Sequence, residues 1–231
     1  MLTERSDTNK ATTIMEIQGR SRVTRFLALL AIVGIADFLL NIAVLHYVRP
    51  DVNPMLEPIS NYAVGPYGFL STAAAIGGGL AALALALGLY LGIAPPGRSY
   101  VGLSLLGIYG VSQLLAGIFP IDVGADTTTV GAIHNIVGNL AFFGFPIAAI
   151  LLSLGMGKDE RWRSFRLPAL ALAGVVVLTV ILTMVGFNIG IGFGALQRLF
   201  NVAAMLWMLV VALHLRSLAE GALAMQPSRV R

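Results

Sequence analysis

The chain has 231 residues, of which 57% are hydrophobic and 11% are charged, and its formal net charge is +4. Soluble domains are roughly 45–50% apolar and about 25% charged, and a soluble chain of this length could not bury so much apolar surface. The composition therefore predicts an integral membrane protein. The basic residues lie in short gaps between apolar runs instead of a solvated patch, so we expect no nucleic acid partner. The absence of cysteine excludes disulfides and thiolate metal sites.

Residues 1–23 are polar and of mixed charge, and we expect them to form a disordered cytoplasmic tail. Six apolar runs follow, each about 20 residues long and therefore able to cross a ~30 Å hydrocarbon core as a helix. They are Thr24–Val44, Gly68–Leu91, Ser99–Ile118, Gly131–Leu154, Pro168–Phe187 and Gly194–Leu215. The predicted fold is all-α, an integral membrane bundle of six transmembrane helices over residues 24–216, with a second cytoplasmic tail over 217–231.

The distribution of basic residues predicts the orientation of this bundle. If the N-terminus lies inside, the outer segments hold only Arg49 and Arg198 of the 15 Lys and Arg residues. Cytoplasmic loops of membrane proteins carry an excess of Lys and Arg. We therefore expect a multi-pass protein of the cell (inner) membrane with both termini in the cytoplasm.

Glycines are abundant in the second and third runs. Gly77, Gly78 and Gly79 give the second helix a small surface, and Gly107 and Gly110 do the same for the third. Small residues let helices approach closely in lipid, so we expect close packing at these positions. The sequence leaves open whether the chain forms a homo-oligomer.

Asp37 is a carboxylate within the first span, where its insertion is unfavourable by on the order of 2.5–3.5 kcal/mol. Such residues face the bundle interior and find a partner, and Asn41 shares its helix face. Arg198 is the one basic residue in the outer half of a span. It either extends outward or pairs with Asp37 or Asp122, as a structural ion pair or as part of a functional site.

His134 lies in the first turn of the fourth span, where it could act as an acid, a base or a ligand. A Ser60–His134–Asp122 group could carry out nucleophilic hydrolysis. The alternative is a histidine that hydrogen-bonds to loop backbone. Asn135 and Asn139 follow at a spacing of four residues, and we expect interhelical hydrogen bonds from them.

Metal and haem chemistry are weaker alternatives. His46 and His134 lie near the same outer face, and with Asp122 they could bind zinc, but no tight ligand motif is present. One haem between the two histidines is the remaining cofactor alternative. We expect no metal ion and no cofactor.

The outer-face motifs resemble a prokaryotic membrane family known as domain of unknown function number 998. The resemblance covers about residues 24–216 and rests on five short segments: Ile59–Ser60, Gly65–Gly68, Phe119–Asp122, Gly131–His134 and Gln197–Leu199. It implies six helices and an outward-facing polar cluster of Ser60, Asp122, His134 and Arg198, and it implies no particular reaction.

The leading hypothesis is an integral membrane protein with an outward-facing polar pocket for a lipid headgroup or a small ligand. Its predicted ligand-binding residues are Asp37, Ser60, Asp122, His134 and Arg198, with Arg198 as the contact for an anion because its guanidinium suits phosphate or carboxylate. The expected partner is membrane lipid. The alternatives are an intramembrane hydrolase with catalytic candidates His134, Asp122 and Ser60, and a transporter or single-haem electron-transfer protein.

Overall fold

The computed structural model describes residues 2–124, 126–188 and 192–225, and within them the chain is helical and contains no strand. Six long helices follow one another: α1 Leu2–Val48, α2 Gly68–Gly92, α3 Tyr100–Ile118, α4 Thr129–Met156, α5 Arg166–Asn188 and α6 Phe193–Ala224. Each contains a stretch long and apolar enough to cross a membrane. The predicted all-α bundle of six transmembrane helices is therefore confirmed.

The N-terminal segment differs from the expectation of a disordered tail. The structure continues α1 back to Leu2, so residues 2–23 extend the first helix. The segment contains no proline and one glycine, and strong helix breakers are therefore nearly absent from it. At the other end of the chain, α6 continues to Ala224. The rest of the predicted C-terminal tail, residues 226–231, lies outside the described residues.

The helices close into a ring. Each helix packs against the next in the chain, α6 returns to pack against α1, and α6 also touches α2 and α4. The indole nitrogen of Trp207 in α6 donates to the carbonyl oxygen of Ala169 in α5 at 3.2 Å and to Oγ of Ser153 in α4 at 3.3 Å. These bonds satisfy a fully buried donor and hold three helices together.

Two glycine crossings place α2 close to both of its neighbours. A Cβ atom at Gly34 would meet the carbonyl oxygen of Gly77, and one at Gly77 would lie 3.0 Å from the carbonyl oxygen of Gly34. Gly79 and Gly110 are related in the same way between α2 and α3, at 2.8 and 2.9 Å. The close packing predicted for Gly77, Gly79 and Gly110 is thus present. Gly107 differs, because a Cβ atom there would meet nothing within 4 Å.

The two ends of the bundle carry different loops. We call the end formed by residues 49–67 and 119–128 the acidic end, and the end formed by residues 93–99 and 157–165 the basic end. Arg49 organises the longest loop of the acidic end: it is 6% exposed and donates to Asp51, to Val64 O at 3.0 Å and to Pro66 O at 2.9 Å. Residues 189–191, between α5 and α6, lie outside the described residues.

The basic end is held by Asp159, which is almost fully buried. Its carboxylate accepts from Ala94 N and from Arg161, and Arg161 also donates to Gly92 O. Burial opposes ionisation, but the bonds from Arg161 and Ala94 outweigh it and hold the pKa of this carboxyl below its usual value. Asp159 therefore ties the α2–α3 loop to the α4–α5 loop.

Candidate functional site: a cavity in the acidic half of the bundle

A cavity of about 460 Å³ lies among the six helices, in the half of the bundle nearer the acidic end. All six helices contribute to its wall, together with the turn Ile59–Ala63 in the long loop. Among the described residues, five phenylalanines form much of its apolar surface: Phe38, Phe142, Phe143, Phe193 and Phe200. Ten polar side chains of the described part of the chain also line it: Ser60, Ser71, Tyr109, Gln113, His134, Asn135, Asn139, Thr183, Gln197 and Asn201. Among the described residues, no Asp, Glu, Lys or Arg belongs to this lining.

Helical spacing explains the concentration of amides. Asn135 and Asn139 are four residues apart on α4, and Gln197 and Asn201 are four residues apart on α6, so each pair lies on one face of its helix. Gly138 lies between the two asparagines and also lines the cavity. A Cβ atom at Gly138 would meet nothing within 4 Å, so the space beside it is open.

The amides differ in how far the protein satisfies them. Gln197 accepts the backbone N–H of Ile59 at 2.7 Å, and Asn201 donates to the carbonyl oxygen of Gln197 at 2.9 Å. Within the described part of the chain, the side chains of Gln113, Asn135 and Asn139 make no hydrogen bond to another protein group. The interhelical bonds expected from the two asparagines are therefore not present, and their donors and acceptors remain available inside the cavity.

His134 is fixed in one tautomer by its backbone partner. Its Nδ1 lies 2.8 Å from the carbonyl oxygen of Phe119. A carbonyl only accepts, so Nδ1 carries the hydrogen, and in the neutral ring Nε2 is left as an acceptor. The side chain is 9% exposed and lines the cavity. Of the two alternatives drawn from the sequence, the structure has the histidine bonded to loop backbone.

Asp122 has a structural role at the start of α4. Its carboxylate accepts the backbone N–H of Thr128 at 2.8 Å and the hydroxyl of Thr128 at 2.7 Å. These bonds, helped by nearby His134, hold the pKa of Asp122 below its usual value. Thr128 in turn accepts from Gly131 N and caps α4. His134 donates to Phe119 and not to Asp122, so the predicted Ser60–His134–Asp122 triad is not assembled.

Arg198 has different partners from those predicted. It donates to Nε2 of His46 at 2.8 Å, to the carbonyl oxygens of Glu57 at 2.7 Å and Gly194 at 3.0 Å, and to the hydroxyl of Tyr62 at 3.4 Å. Neither Asp37 nor Asp122 bonds to it. Four of its five N–H donors thus serve the protein. One N–H donor remains for an outside group, and the expected contact between Arg198 and an anion stays a prediction.

Asp37 lies at the α1–α2 interface, outside the lining of the cavity. Its Oδ1 accepts from Nδ2 of Asn41 at 2.9 Å, as its spacing predicted, and Nδ2 of Asn41 also donates to the carbonyl oxygen of Asp37 at the same distance. Its other oxygen packs against Gly77. The missing Cβ atom at Gly77 gives the carboxylate the room it occupies.

The five predicted ligand-binding residues therefore separate into two groups. Ser60 and His134 line one cavity, whereas Asp37, Asp122 and Arg198 are engaged elsewhere. Sequence reasoning did not select Tyr109, Gln113 or Asn201. The i, i+4 amide pairs of α4 and α6 were the signal that could have identified this face.

Tyr109 is the most enclosed polar group of the cavity wall. The side chain is 1% exposed, and its ring packs against Phe145 with 4.6 Å between centroids. Its hydroxyl is buried and has no hydrogen-bond partner among the described residues. Such a group is unfavourable unless a water or ligand atom reaches it.

These features define a multi-pass membrane bundle with a polar cavity that, among the described residues, has no Asp, Glu, Lys or Arg in its lining. The family model described as "Protein of unknown function (DUF998)" matches residues 28–214, and the chain belongs to this family. The resemblance drawn from the outer-face motifs is thereby confirmed. No curated protein and no solved structure matches the chain.

Proposed function

We propose that this membrane protein binds a small ligand or a lipid headgroup in the cavity, which faces the outer leaflet. The observation that carries the proposal is the cavity itself, with ten polar side chains set among five phenylalanines. Pockets that bind small molecules typically have volumes of about 300–1,000 Å³, mostly apolar walls and a few polar groups that converge on the ligand. The volume of 460 Å³ falls within that range.

Hydrolysis is the weaker candidate. Ser60 and His134 share the cavity, but the carboxylate that would orient the imidazole is bonded to Thr128. A backbone carbonyl replaces it as the partner of Nδ1. A carboxylate in that position stabilises the imidazolium that forms during catalysis, and a carbonyl dipole provides less. Binding without chemistry is therefore the function that we propose.

A filled cavity tests this proposal. Gly138→Leu places a side chain into the open space beside α4, and Gly174→Leu is the matched control, because Gly174 is also a helical glycine with nothing within 4 Å and does not line the cavity. The wild type and both variants are purified gently from membranes and measured by native mass spectrometry. We expect one bound mass on the wild type and on Gly174→Leu, and an affinity at least about tenfold lower on Gly138→Leu, which corresponds to about 1.4 kcal/mol of binding free energy. Equal occupancy of the three proteins, or no bound mass on any of them, would contradict it.

A further inference from the structure

The cavity has an opening on one side of the bundle. Most lining residues are buried or half-buried, but four are exposed: Asn135, Asn139, Phe143 and Met184. Three of these lie on α4 and the fourth on α5. Phe143 is 44% exposed and Met184 is 51% exposed. Their exposure locates the most open part of the cavity wall on α4 and α5, and we take the seam between these two helices as the opening.

Helix packing agrees with this location. Among the six neighbouring pairs in the ring, α4 and α5 pack least extensively, whereas α1 and α2 pack most extensively. Of the described side chains of α5, only Thr183 and Met184 line the cavity wall. The seam is therefore the part of the ring where the fewest contacts separate the cavity from the surroundings.

The opening lies within the membrane-spanning part of the bundle. α4 has 28 residues, and Phe143 lies about 21 Å along its axis from its first residue at ~1.5 Å per residue. Asn135 and Asn139 lie nearer the acidic end on the same helix. An opening along this stretch faces lipid, so the molecule that passes through it is itself dissolved in the membrane.

The residue types in the cavity lining favour an uncharged ligand. An ionised headgroup loses hydration when it enters such a site and needs a counter-charge or strong hydrogen bonds to replace it. No Asp, Glu, Lys or Arg of the described residues lines this cavity. Its amides and hydroxyls offer both donors and acceptors, and Nε2 of His134 offers an acceptor. This set matches an uncharged head that carries hydroxyl or carbonyl groups.

We propose that the cavity takes an uncharged amphiphile from the membrane through the seam between α4 and α5. The polar head lies against Gln113, Asn135, Asn139 and His134, and the apolar chain extends between Phe143 and Met184 into lipid. This inference rests on the proposed function and adds the chemical class of the ligand and its route.

Two photoreactive lipids test the ligand class. A monoacylglycerol and a lysophosphatidic acid with the same diazirine-bearing chain differ only in the phosphate, and each is added to phosphatidylcholine vesicles that contain the full chain. After irradiation, labelling of the α4 peptide that contains Asn135 to Phe143 is compared with labelling of lipid-facing peptides. We expect the monoacylglycerol to label this peptide at least about tenfold more than the lysophosphatidic acid does. Gly138→Leu should abolish the excess, and Gly174→Leu should retain it.

The possible outcomes distinguish failure of the uncharged-ligand proposal from failure of the proposed binding function. If both probes label the peptide equally and Gly138→Leu abolishes the labelling, the proposal that the ligand is uncharged is wrong, whereas the proposal of ligand binding is supported. Labelling by neither probe above the lipid-facing level would overturn the inference, while native mass spectrometry decides ligand binding independently. Labelling that Gly138→Leu does not change would show contact with bulk lipid only and would also overturn it.

The route has its own measurement. The chain contains no cysteine, so Asn139→Cys provides a single attachment point for a fluorophore at the seam. We expect quenching by a spin-labelled lipid and little quenching by aqueous iodide, with Asp126→Cys in the α3–α4 loop showing the reverse. Quenching of the Asn139→Cys fluorophore by iodide alone would place the opening toward water and overturn the lateral route.

Discussion

Arg198 donates the Nε–H of its guanidinium to Nε2 of His46 across 2.8 Å, which joins α6 to α1. His46 is an acceptor in this bond, so its hydrogen lies on Nδ1, which bonds to the carbonyl oxygen of Ile42 at 2.7 Å. Both ring nitrogens are therefore used, and the alternative of one haem between His46 and His134 would require these bonds to break. The same guanidinium lies 5.6 Å from the ring centroid of Tyr62. Arg198 thus holds the long acidic-end loop against two helices.

Arg198→Gln should lower stability and not act on ligand binding directly. It removes most of a set of hydrogen bonds to a charged group, each worth about 1.5–3 kcal/mol, and partial exposure of these bonds lowers the total. We expect a clearly reduced Tm in detergent. At a temperature where the variant is still folded, retention of the bound mass would agree with a structural role, and its specific loss would instead place Arg198 in the binding site. Arg163→Gln, an exposed arginine of the α4–α5 loop, is the control and should leave Tm unchanged.

Asp122 should contribute to acid sensitivity. Its folded-state pKa is lowered, first by the backbone N–H of Thr128, so its stabilising effect is present above its unfolded-state pKa of about 3.9 and is lost as pH falls through the folded value. Asp122→Asn should therefore have a lower Tm than the wild type at pH 7, and the difference should shrink below about pH 4. The measurement is Tm against pH in detergent. Asp126→Asn is the control, since Asp126 forms no hydrogen bond with the described residues. A constant difference between wild type and Asp122→Asn at all pH values would contradict the assignment.

The six helices could be predicted because each is a local property of the sequence. An apolar run of sufficient length determines a spanning helix without reference to its neighbours. The predicted runs and the observed helices agree closely at most ends, for example at Gly68 and at Ile118. Two ends differ: α6 continues past Leu215 to Ala224, and α1 begins at Leu2, because polar composition alone does not prevent residues 2–23 from continuing a helix that has already formed.

The sequence predicted how deep in the membrane the site lies, but the depth of a residue does not determine which way its side chain faces. Successive residues of a helix are rotated by about 100°. Gln197 faces the cavity, and Arg198, the next residue, faces the long loop. Phe38 lines the cavity, and Asp37 beside it lies against Gly77 on α2. Charged residues were therefore selected from the sequence as site candidates, whereas uncharged residues next to them in the chain line the cavity.

Orientation in the membrane is a separate prediction, which the charge distribution makes. We expect the acidic end outside and the basic end in the cytoplasm, because all but two of the 15 Lys and Arg residues lie in the segments assigned to the inner side. The cysteine-free chain permits a direct measurement with Asp126→Cys and Lys158→Cys. A membrane-impermeant maleimide added to intact cells should modify the first variant and reach the second only after lysis. The reverse pattern would place the cavity in the inner half of the membrane.

The glycine crossing between α1 and α2 makes the last prediction. A methyl group at Gly34 would meet the carbonyl oxygen of Gly77, and backbone cannot rotate aside as a side chain can. Gly34→Ala should therefore separate the helices and lower stability by about 1–3 kcal/mol, the usual range for overpacking. Gly107→Ala is the matched control, because its methyl group meets nothing within 4 Å, and a compatible Gly→Ala change is neutral or stabilising by up to about 1 kcal/mol. Unfolding in detergent measures both variants. Equal stability of the two would mean that α1 and α2 are not in backbone contact at Gly34, and the room that Gly77 leaves for Asp37 would then need another explanation.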